Sequence, residues 1–371
     1  MRPESDWRRS MKKYILSVQG EGRGHMTQAI SLYDLLIEQG HQVCAVILGS
    51  SGTRDIPAFF LEKIKSPIIQ LKSPNFVSDN KNKSINVPKS VWHNLKKLKT
   101  FKQSLRSIDA LMKEHEPDVV INFFDLLMGL YYRFYKPKAK MVCIAHQYIY
   151  MHSDFEFPEG RWADKAAIKF YTRITAARSS KNLALSFYNI HTTHEDVVIV
   201  PPLLRKEIFE LNTEQSDYFL VYLVNNGYFE ELLSWHKKNP QVEIHCFTDQ
   251  PQRLKKDFSF DESKLYLHAL NDKLFLEMMS KAKGLASTAG FESVCEAMYL
   301  GKPVMMVPIE GHYEQFCNSR DAHKAGAGIF ADSFDLSQLV NFCTTFNASN
   351  GFYRDWVLNA RNRIYKEISN A

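Results

Sequence analysis

Three stretches of this chain carry residue types and spacings suited to chemistry. The first is GEGRGHMTQA, residues 20–29, in which Gly20, Gly22 and Gly24 follow the apolar run KYILSV and lead into a helix-like segment. A strand, glycine turn and helix start of this kind presents backbone N–H groups to an anion. A dinucleotide, however, needs a third glycine where His25 stands, and a carboxylate at the end of the next strand to hold the ribose. That strand, QVCAVILGS, ends in Leu48, Gly49 and Ser50, so NAD is disfavoured. What survives is an imidazole placed where the first strand stops and the crevice of an open α/β sheet begins.

The second stretch is GLASTAGFESVCEAMYLGKPVMMVP, residues 284–308. GLAS reads as a short buried strand, Thr288, Ala289 and Gly290 as a turn that can open a helix, and GFESVCEAMYL as that helix, ended by Gly301 and Pro303. Phe291, Val294 and Met298 share a stripe and read as core, whereas Ser293 and Glu296, three apart, share another face. The free N–H groups of the first turn suit a phosphate. Glu296 is too far along for that and suits ribose hydroxyls; an ordinary capped helix with an exposed Glu is the plainer alternative. The third stretch, PIEGHYEQFCNSRDAHKAGAG, residues 308–328, puts Glu310, His312, Glu314, Gln315 and Asn318 just past the next strand. Loops there face the same crevice, and Glu314 with Gln315 offers acceptors and donors for several sugar hydroxyls.

Two series of elements must position these groups. β-branched runs alternating with helical patterns predict βα units and parallel sheets. Strands are expected at residues 14–18, 42–48, 67–71, 118–122, 140–145, 183–187 and 197–200, then at 218–224, 242–247, 264–268, 284–287 and 303–307. Between the series lies PPLLRKEIFELNTEQSD, opening with two prolines and turning polar. The expected organisation is a first domain at 11–200, a linker at 201–217, a second domain at 218–350, and an amphipathic segment at 351–371 packing back onto the first. The fold class is α/β, with two Rossmann-like domains whose parallel sheets face each other across a cleft.

Composition agrees with that size. A chain of 371 residues suits about two domains, and 45% hydrophobic with 24% charged residues is a globular balance. VVINFFDLLMGLYY, interrupted by Asn122 and Asp125, falls short of a membrane span, and residues 1–10 read as a loose extension. Six scattered cysteines without a Cys-x-x-Cys pair suggest buried reduced thiols in a cytoplasmic protein. HTTHED, residues 191–196, lacks the order of known zinc helices and reads as a surface loop. The net charge of +6 is uneven, with 16 Lys and Arg against 7 Asp and Glu between Glu62 and Lys140. Much of that excess lies in VPKSVWHNLKKLKTFKQSLRSI, which carries Trp92, Leu95, Leu98 and Leu105 among its lysines. An anionic membrane or polyanion suits such a surface; a solvated helix with its apolar side on the sheet is the alternative.

From Met11 onward the chain resembles the GT-B glycosyltransferases, the group that includes the lipid-linked peptidoglycan GlcNAc transferase and the plant and macrolide UDP-glycosyltransferases. Thr288, Gly290, Ser293 and Glu296 fall where that superfamily keeps its phosphate-turn and ribose residues. Glu314-Gln315-Phe316-Cys317-Asn318 resembles its donor-sugar element, and Gly24-His25 its Gly-His turn. Two departures stand out: Glu292, near the diphosphate, replaces a neutral residue of several relatives, and Gln28 replaces a common proline.

The resemblance implies an inverting transfer of a sugar from a nucleoside diphosphate sugar, a UDP-sugar foremost, to an acceptor hydroxyl of a small molecule, lipid or lipid-linked glycan. It makes the first domain the acceptor side and the second the donor side. In this scheme His25 is the base, and Asp125 either orients it or caps a buried helix. The leaving diphosphate meets the turn of Thr288, Ala289 and Gly290, then Ser293, Gly24 and the turn of Asn225, Asn226 and Gly227. His312, Glu314 and Gln315 meet the donor sugar. No Asp-x-Asp motif is present, so neither a metal nor a cofactor beyond the nucleotide-sugar substrate is expected. Together with a second basic segment, RWADKAAIKFYTRITAARSSK at 161–181, the basic first domain suggests peripheral contact at the inner face of an anionic membrane; a soluble acceptor fits equally. The rival readings are an enzyme of the UDP-GlcNAc 2-epimerase type and a polyanion-binding module. No recognition helix, zinc framework or aromatic RNA-binding motif supports nucleic acid as a partner.

Overall fold

The computed structural model describes residues 11–50, 56–74, 98–190, 197–261, 263–348 and 351–371. The first lobe runs β1 (Lys13–Gln19), α1 (Arg23–Glu38), β2 (Gln42–Ser50), α2 (Ala58–Lys63), β3 (Ile68–Lys72), α3 (Leu98–His115), β4 (Val119–Phe123), α4 (Leu126–Tyr135), β5 (Lys140–Ala145), α5 (Trp162–Thr175), β6 (Lys181–Leu185) and β7 (Val198–Val200). All pairings are parallel, in the order β3-β2-β1-β4-β5-β6-β7. The central strands are continuous apolar runs because helices cover both faces: Tyr14, Ile15 and Leu16 in β1, and Val120 and Ile121 in β4, are fully buried.

The second lobe runs β8 (Tyr218–Leu223), α6 (Phe229–Lys238), β9 (Glu243–Thr248), α7 (Pro251–Asp257), β10 (Leu265–Ala269), α8 (Asp272–Lys281), β11 (Gly284–Ser287), α9 (Phe291–Tyr299), β12 (Val304–Met306), α10 (Tyr313–Lys324), β13 (Gly328–Phe330) and α11 (Ser337–Thr345). Its parallel order is β10-β9-β8-β11-β12-β13. Every expected strand forms within two residues of its expected bounds. The sequence reading omitted β13, whose three residues follow Gly326 and begin at Gly328; a glycine-flanked strand this short has no alternation to betray it.

Strand order decides which loops become neighbours. β1 lies between β2 and β4, and β8 between β9 and β11, so the chain reverses direction across each sheet at β1/β4 and β8/β11. Crevices for ligands open at such switch points, beyond the carboxyl ends of the strands. The turn bearing His25 follows β1, and the Thr288 turn follows β11.

The chain leaves the second lobe through α12 (Gly351–Leu358) and α13 (Ala360–Ser369). α12 lies on α9, with the Tyr353 hydroxyl donating to Cys295 O at 3.3 Å and Arg354 Nε to Tyr299 O at 2.9 Å. The Trp356 indole N–H then reaches Ser186 O at 3.0 Å, and α13 lies along the first lobe, where Tyr365 meets His41 and Lys181 meets Glu367.

Residues 75–97, which include Trp92 and Leu95 of the basic segment, and HTTHED at 191–196 lie outside the described residues. The described part of the basic segment is the start of α3. There Phe101, Ile108 and Met112 are buried while Lys99, Lys102 and Arg106 face solvent, which is the sheet-packed amphipathic alternative.

α4 and α5 approach without a side chain between them. A Cβ on Gly129 would lie 2.2 Å from Ile174 O and 2.7 Å from Thr175 Cα, and buried Asn122 ties the pair by donating to Asp125 O and Thr175 O. Gly129→Ala is therefore expected to lower stability by about 1–3 kcal/mol through overpacking against backbone. Thermal unfolding of the variant checks this; an unchanged midpoint would mean that α4 and α5 can part freely.

Candidate active site

The site is built where two helix starts meet. α1 begins after Gly22 and α9 after Gly290, and neither has a side chain capping its first turn. Each therefore presents the unpaired N–H groups and the positive end of its dipole. The two first turns are in contact: a Cβ on Gly24 would sit 3.0 Å from Cγ of Glu292. Gly20 has an equally local reason, since its N–H donates to Gly49 O at 2.7 Å and an added Cβ would come within 3.0 Å of that oxygen.

His25 occupies the first turn of α1. Its ring stacks on Phe124, with centroids 5.9 Å apart, and its Nε2 lies 3.5 Å from Nε2 of Gln147. The same Gln147 nitrogen donates to Glu314 Oε1 at 2.9 Å, so it is the amide N–H side that faces both groups. His25 Nε2 is then an acceptor and the ring proton rests on Nδ1, which has no hydrogen-bond partner among the described residues. Burial pushes the imidazole pKa below its usual value, against opposing contributions from Glu314 and Gln28, which favours the neutral ring with its Nε2 lone pair turned to the Gln147 amide.

Asp125 does not orient His25. Its carboxylate accepts from Ser17 Oγ at 2.7 Å, Ser73 Oγ at 3.4 Å and Leu127 N at 3.2 Å, which caps α4. A Cβ on Gly49 would strike its Oδ1 at 2.4 Å, so β2 ends in glycine to admit it. Burial raises the Asp125 pKa to about 6. A position after a strand, before a helix and beside serines made capping the stronger demand on this side chain.

In the second lobe, Thr288 O accepts from Gly290 N and Ser287 Oγ, both at 2.6 Å, which closes the turn. Ala289 O accepts from Asn318 Nδ2 at 3.2 Å, and Asn318 Oδ1 accepts from the Tyr150 hydroxyl at 3.0 Å, linking the turn to the first lobe. Ser293 Oγ stands 3.9 Å from where a Cβ on Gly290 would be. Glu296, only 1% exposed, is not an exposed acceptor; it takes Nε and Nη2 of Arg205 at 2.6 and 2.9 Å. Burial opposes the Arg205 charge, but Glu296 and Asp272 outweigh it and raise its pKa. Asp272 in turn accepts from Arg23 Nη1 at 2.9 Å, so an alternating ionic chain runs from α1 to α9.

The remaining expected residues are partly committed elsewhere. Asn225 Oδ1 accepts from Gly227 N at 2.8 Å, and Asn226 bonds Thr248 and Asp249, so these side chains shape their own turn. His312 Nδ1 caps α10 by accepting from Gln315 N, and Gln315 Oε1 accepts from Ile309 N at 2.9 Å, bracing the loop. Glu314 alone of this group reaches the other lobe, through Gln147.

Sequence reasoning missed His146, Gln147 and Arg205. His146 follows β5 as His25 follows β1, and its ring stacks flat on Phe291 with centroids 4.1 Å apart. Its Nδ1 bonds Leu185 O at 2.7 Å, while Nε2 has no partner among the described residues. The signal was there, a polar pair ending an apolar strand, but only the partner sheet reveals what it faces. Arg205 lay in a stretch read solely as linker. Among the described residues no three of His, Cys, Asp or Glu cluster as a metal site.

Known proteins of this shape are numerous. The chain is similar to Acinetobacter baumannii MurG (18% identity, TM-score 0.56, covering 97% of this chain and 100% of that one). It is also similar to the spinosyn forosaminyltransferase SpnP (10%, TM-score 0.64, 97% and 100%), and to Arabidopsis thaliana UGT89C1 solved with quercetin (13%, TM-score 0.60, 97% and 100%). At these identities the likeness establishes the GT-B fold. A search of curated protein sequences returns no match. Residues 12–346, nearly the whole of both lobes, match the family model of glycosyl transferase family 1, and the chain belongs to that family.

Proposed function

We propose that this glycosyltransferase transfers a sugar, with inversion and without a bound metal, from a nucleoside diphosphate donor, a UDP-sugar in our reading, to an acceptor hydroxyl. The observation that carries the reading is the contact of two helix starts without side-chain caps, one from each lobe, with His25 in the first turn of one of them. A diphosphate seated at the start of α9, by Thr288, Ala289, Gly290 and Ser293, meets free N–H groups and a dipole that also favour the extra charge of the departing anion. That supply of positive potential is why no metal is invoked.

His25 stands on the facing turn. The acceptor hydroxyl gives its proton to Nε2 as its oxygen attacks the anomeric carbon, and the bond from that carbon to the phosphate oxygen breaks with its electron pair going to the diphosphate. The negative charge of Glu314 favours the forming imidazolium, the part expected of Asp125, and the Gln147 amide leaves Nε2 as the acceptor hydroxyl takes its place. Attack from the His25 side with departure toward α9 inverts the anomeric centre. The lowered His25 pKa keeps the base form populated at neutral pH.

A thermal-shift panel of UDP, GDP and dTDP tests the donor: the bound nucleotide stabilises the folded state, by about 2.7 kcal/mol at a hundred times its Kd. UDP is expected to give the largest shift, and no shift from any of them would remove the donor site. With the donor in hand, His25→Ala is expected to slow transfer at least ~100-fold while leaving nucleotide binding intact. Undiminished turnover in that variant would end the base assignment, and loss of activity in EDTA would end the metal-free one.

The acceptor, on the same proposal, comes from an anionic membrane surface. α5 has two working sides. Inward, Tyr171 lies 5.4 Å from Phe124, the ring beneath His25. Outward, Trp162 is 81% and Phe170 66% exposed, with Ala163, Ala166 and Ala167 between them, Arg173 exposed nearby, and Lys165 and Lys169 leaning over Phe157. Exposed aromatics rimmed by cations suit the interface of an acidic bilayer, and no helix among the described residues is long and apolar enough to cross one. Sedimentation is expected with vesicles containing phosphatidylglycerol but not with phosphatidylcholine alone. Trp162→Ser with Phe170→Ser should weaken it roughly tenfold or more. Equal binding to both vesicles, or an indifferent double variant, would point to a soluble acceptor.

A further inference from the structure

Glu292 is the acidic side chain in the first turn of α9, where the donor's diphosphate is proposed to sit. An ionised carboxylate would repel that anion. Its geometry shows a different use. The side chain leans across the seam onto α1, against Gly24, and its Oε1 accepts from Gln28 Nε2. Its Oε2 is shielded from solvent and has no hydrogen-bond partner among the described residues. Gln28, only 2% exposed, holds a second bare atom at the same place, its Oε1. Two polar side chains from opposite lobes, Gln28 buried and Glu292 partly buried, thus converge on the gap between two helix starts, each with one shielded oxygen unused. An unmet buried polar atom costs about 1–3 kcal/mol, so the arrangement calls for a ligand to complete it.

We propose that Glu292 is a further catalytic residue: a carboxylic acid that keeps its proton and donates it as a hydrogen bond from Oε2 to the donor's diphosphate, with Gln28 fixing the other oxygen. The proposal rests on the diphosphate seating at α9. The proton stays on Glu292 throughout; the electron pair of the breaking sugar–phosphate bond goes to the diphosphate oxygen, where this hydrogen bond strengthens as charge grows.

The surroundings keep the acid neutral. Burial is the main cause; the Gln28 hydrogen bond opposes it, the Glu296 charge adds to it and Arg205 opposes it, leaving the pKa at about 8. The groups facing it are Gln28 on α1, Glu296 and Cys295 on α9, Arg205 from the linker and Tyr353 from α12. Since the folded pKa is raised, the acid form prevails below about 8 and is lost as pH rises through it.

UDP affinity, by calorimetry, and kcat/KM are to be followed from about pH 7 to about pH 9.5, a range above the last phosphate ionisation near ~6. In the unaltered protein both are expected to hold to about 8 and then fall by about tenfold per pH unit. Glu292→Gln, which keeps an N–H donor but cannot ionise, should retain activity within about tenfold and lose the alkaline fall. Glu292→Ala, with the thermal midpoint as a check on folding, should lose about 10²-fold in kcat/KM. The same alkaline fall in the Gln variant, or UDP binding that tightens above pH 8, overturns this proposal alone. No UDP binding at any pH overturns the donor site with it.

Discussion

Two helix N-termini with nothing to cap them have been brought into van der Waals contact, and the rest of the architecture serves that arrangement. Each start carries unpaired N–H groups and roughly half a positive charge, so their approach is unfavourable unless an anion or acceptor lies between them. Glycine at 24 lets the two first turns touch, and glycine at 290 opens α9 without a side-chain cap. The protein's own answer, in the absence of substrate, is the carboxyl of Glu292 reaching across to Gln28.

The ionic chain from Arg23 through Asp272 and Arg205 to Glu296 holds the same two turns in register from behind. It draws one residue each from α1, α8, the linker and α9. Arg205 is the hub, because its planar guanidinium serves the buried Glu296 with two parallel bonds and reaches Asp272 with a third nitrogen. Truncating one partner of such a buried pair strands the other charge. The linker is therefore a structural part of the second lobe's edge rather than a passive tether, and both oxygens of Glu296 are engaged by Arg205.

The architecture was legible in the sequence because parallel strands buried on both faces announce themselves as unbroken apolar runs, and strand ends marked by glycine or proline fix their limits. The positions after β1 and β11 were legible too, since turn chemistry there is local. What sequence could not show was partnership across the seam. Asp125 had the right type and place to serve His25, but three donors within its own lobe claimed it. Glu314 had the character of a sugar ligand, and only the opposing sheet brings Gln147 to it. His146 showed only a polar pair at a strand end and Arg205 no local pattern, because stacking on Phe291 and pairing with Glu296 exist only once the two lobes have docked.

The seam joins the two lobes through polar and apolar contacts together. Its crossing bonds, Gln147 to Glu314, Gln28 to Glu292, and the Tyr150 hydroxyl to Asn318, join neutral amides and hydroxyls to single acceptors. Net, a bond between neutral groups of this kind contributes only about 0.5–1.5 kcal/mol, because the same groups can bond water instead. The unmet atoms along it, His146 Nε2, Gln147 Oε1, Gln28 Oε1 and Glu292 Oε2, come from both lobes. The same seam carries apolar contacts, with Phe291 packed 4.7 Å from Phe187 and Tyr313 and Cys317 joined to the first lobe's core, so the polar bonds give direction to an interlobe contact whose strength is largely apolar.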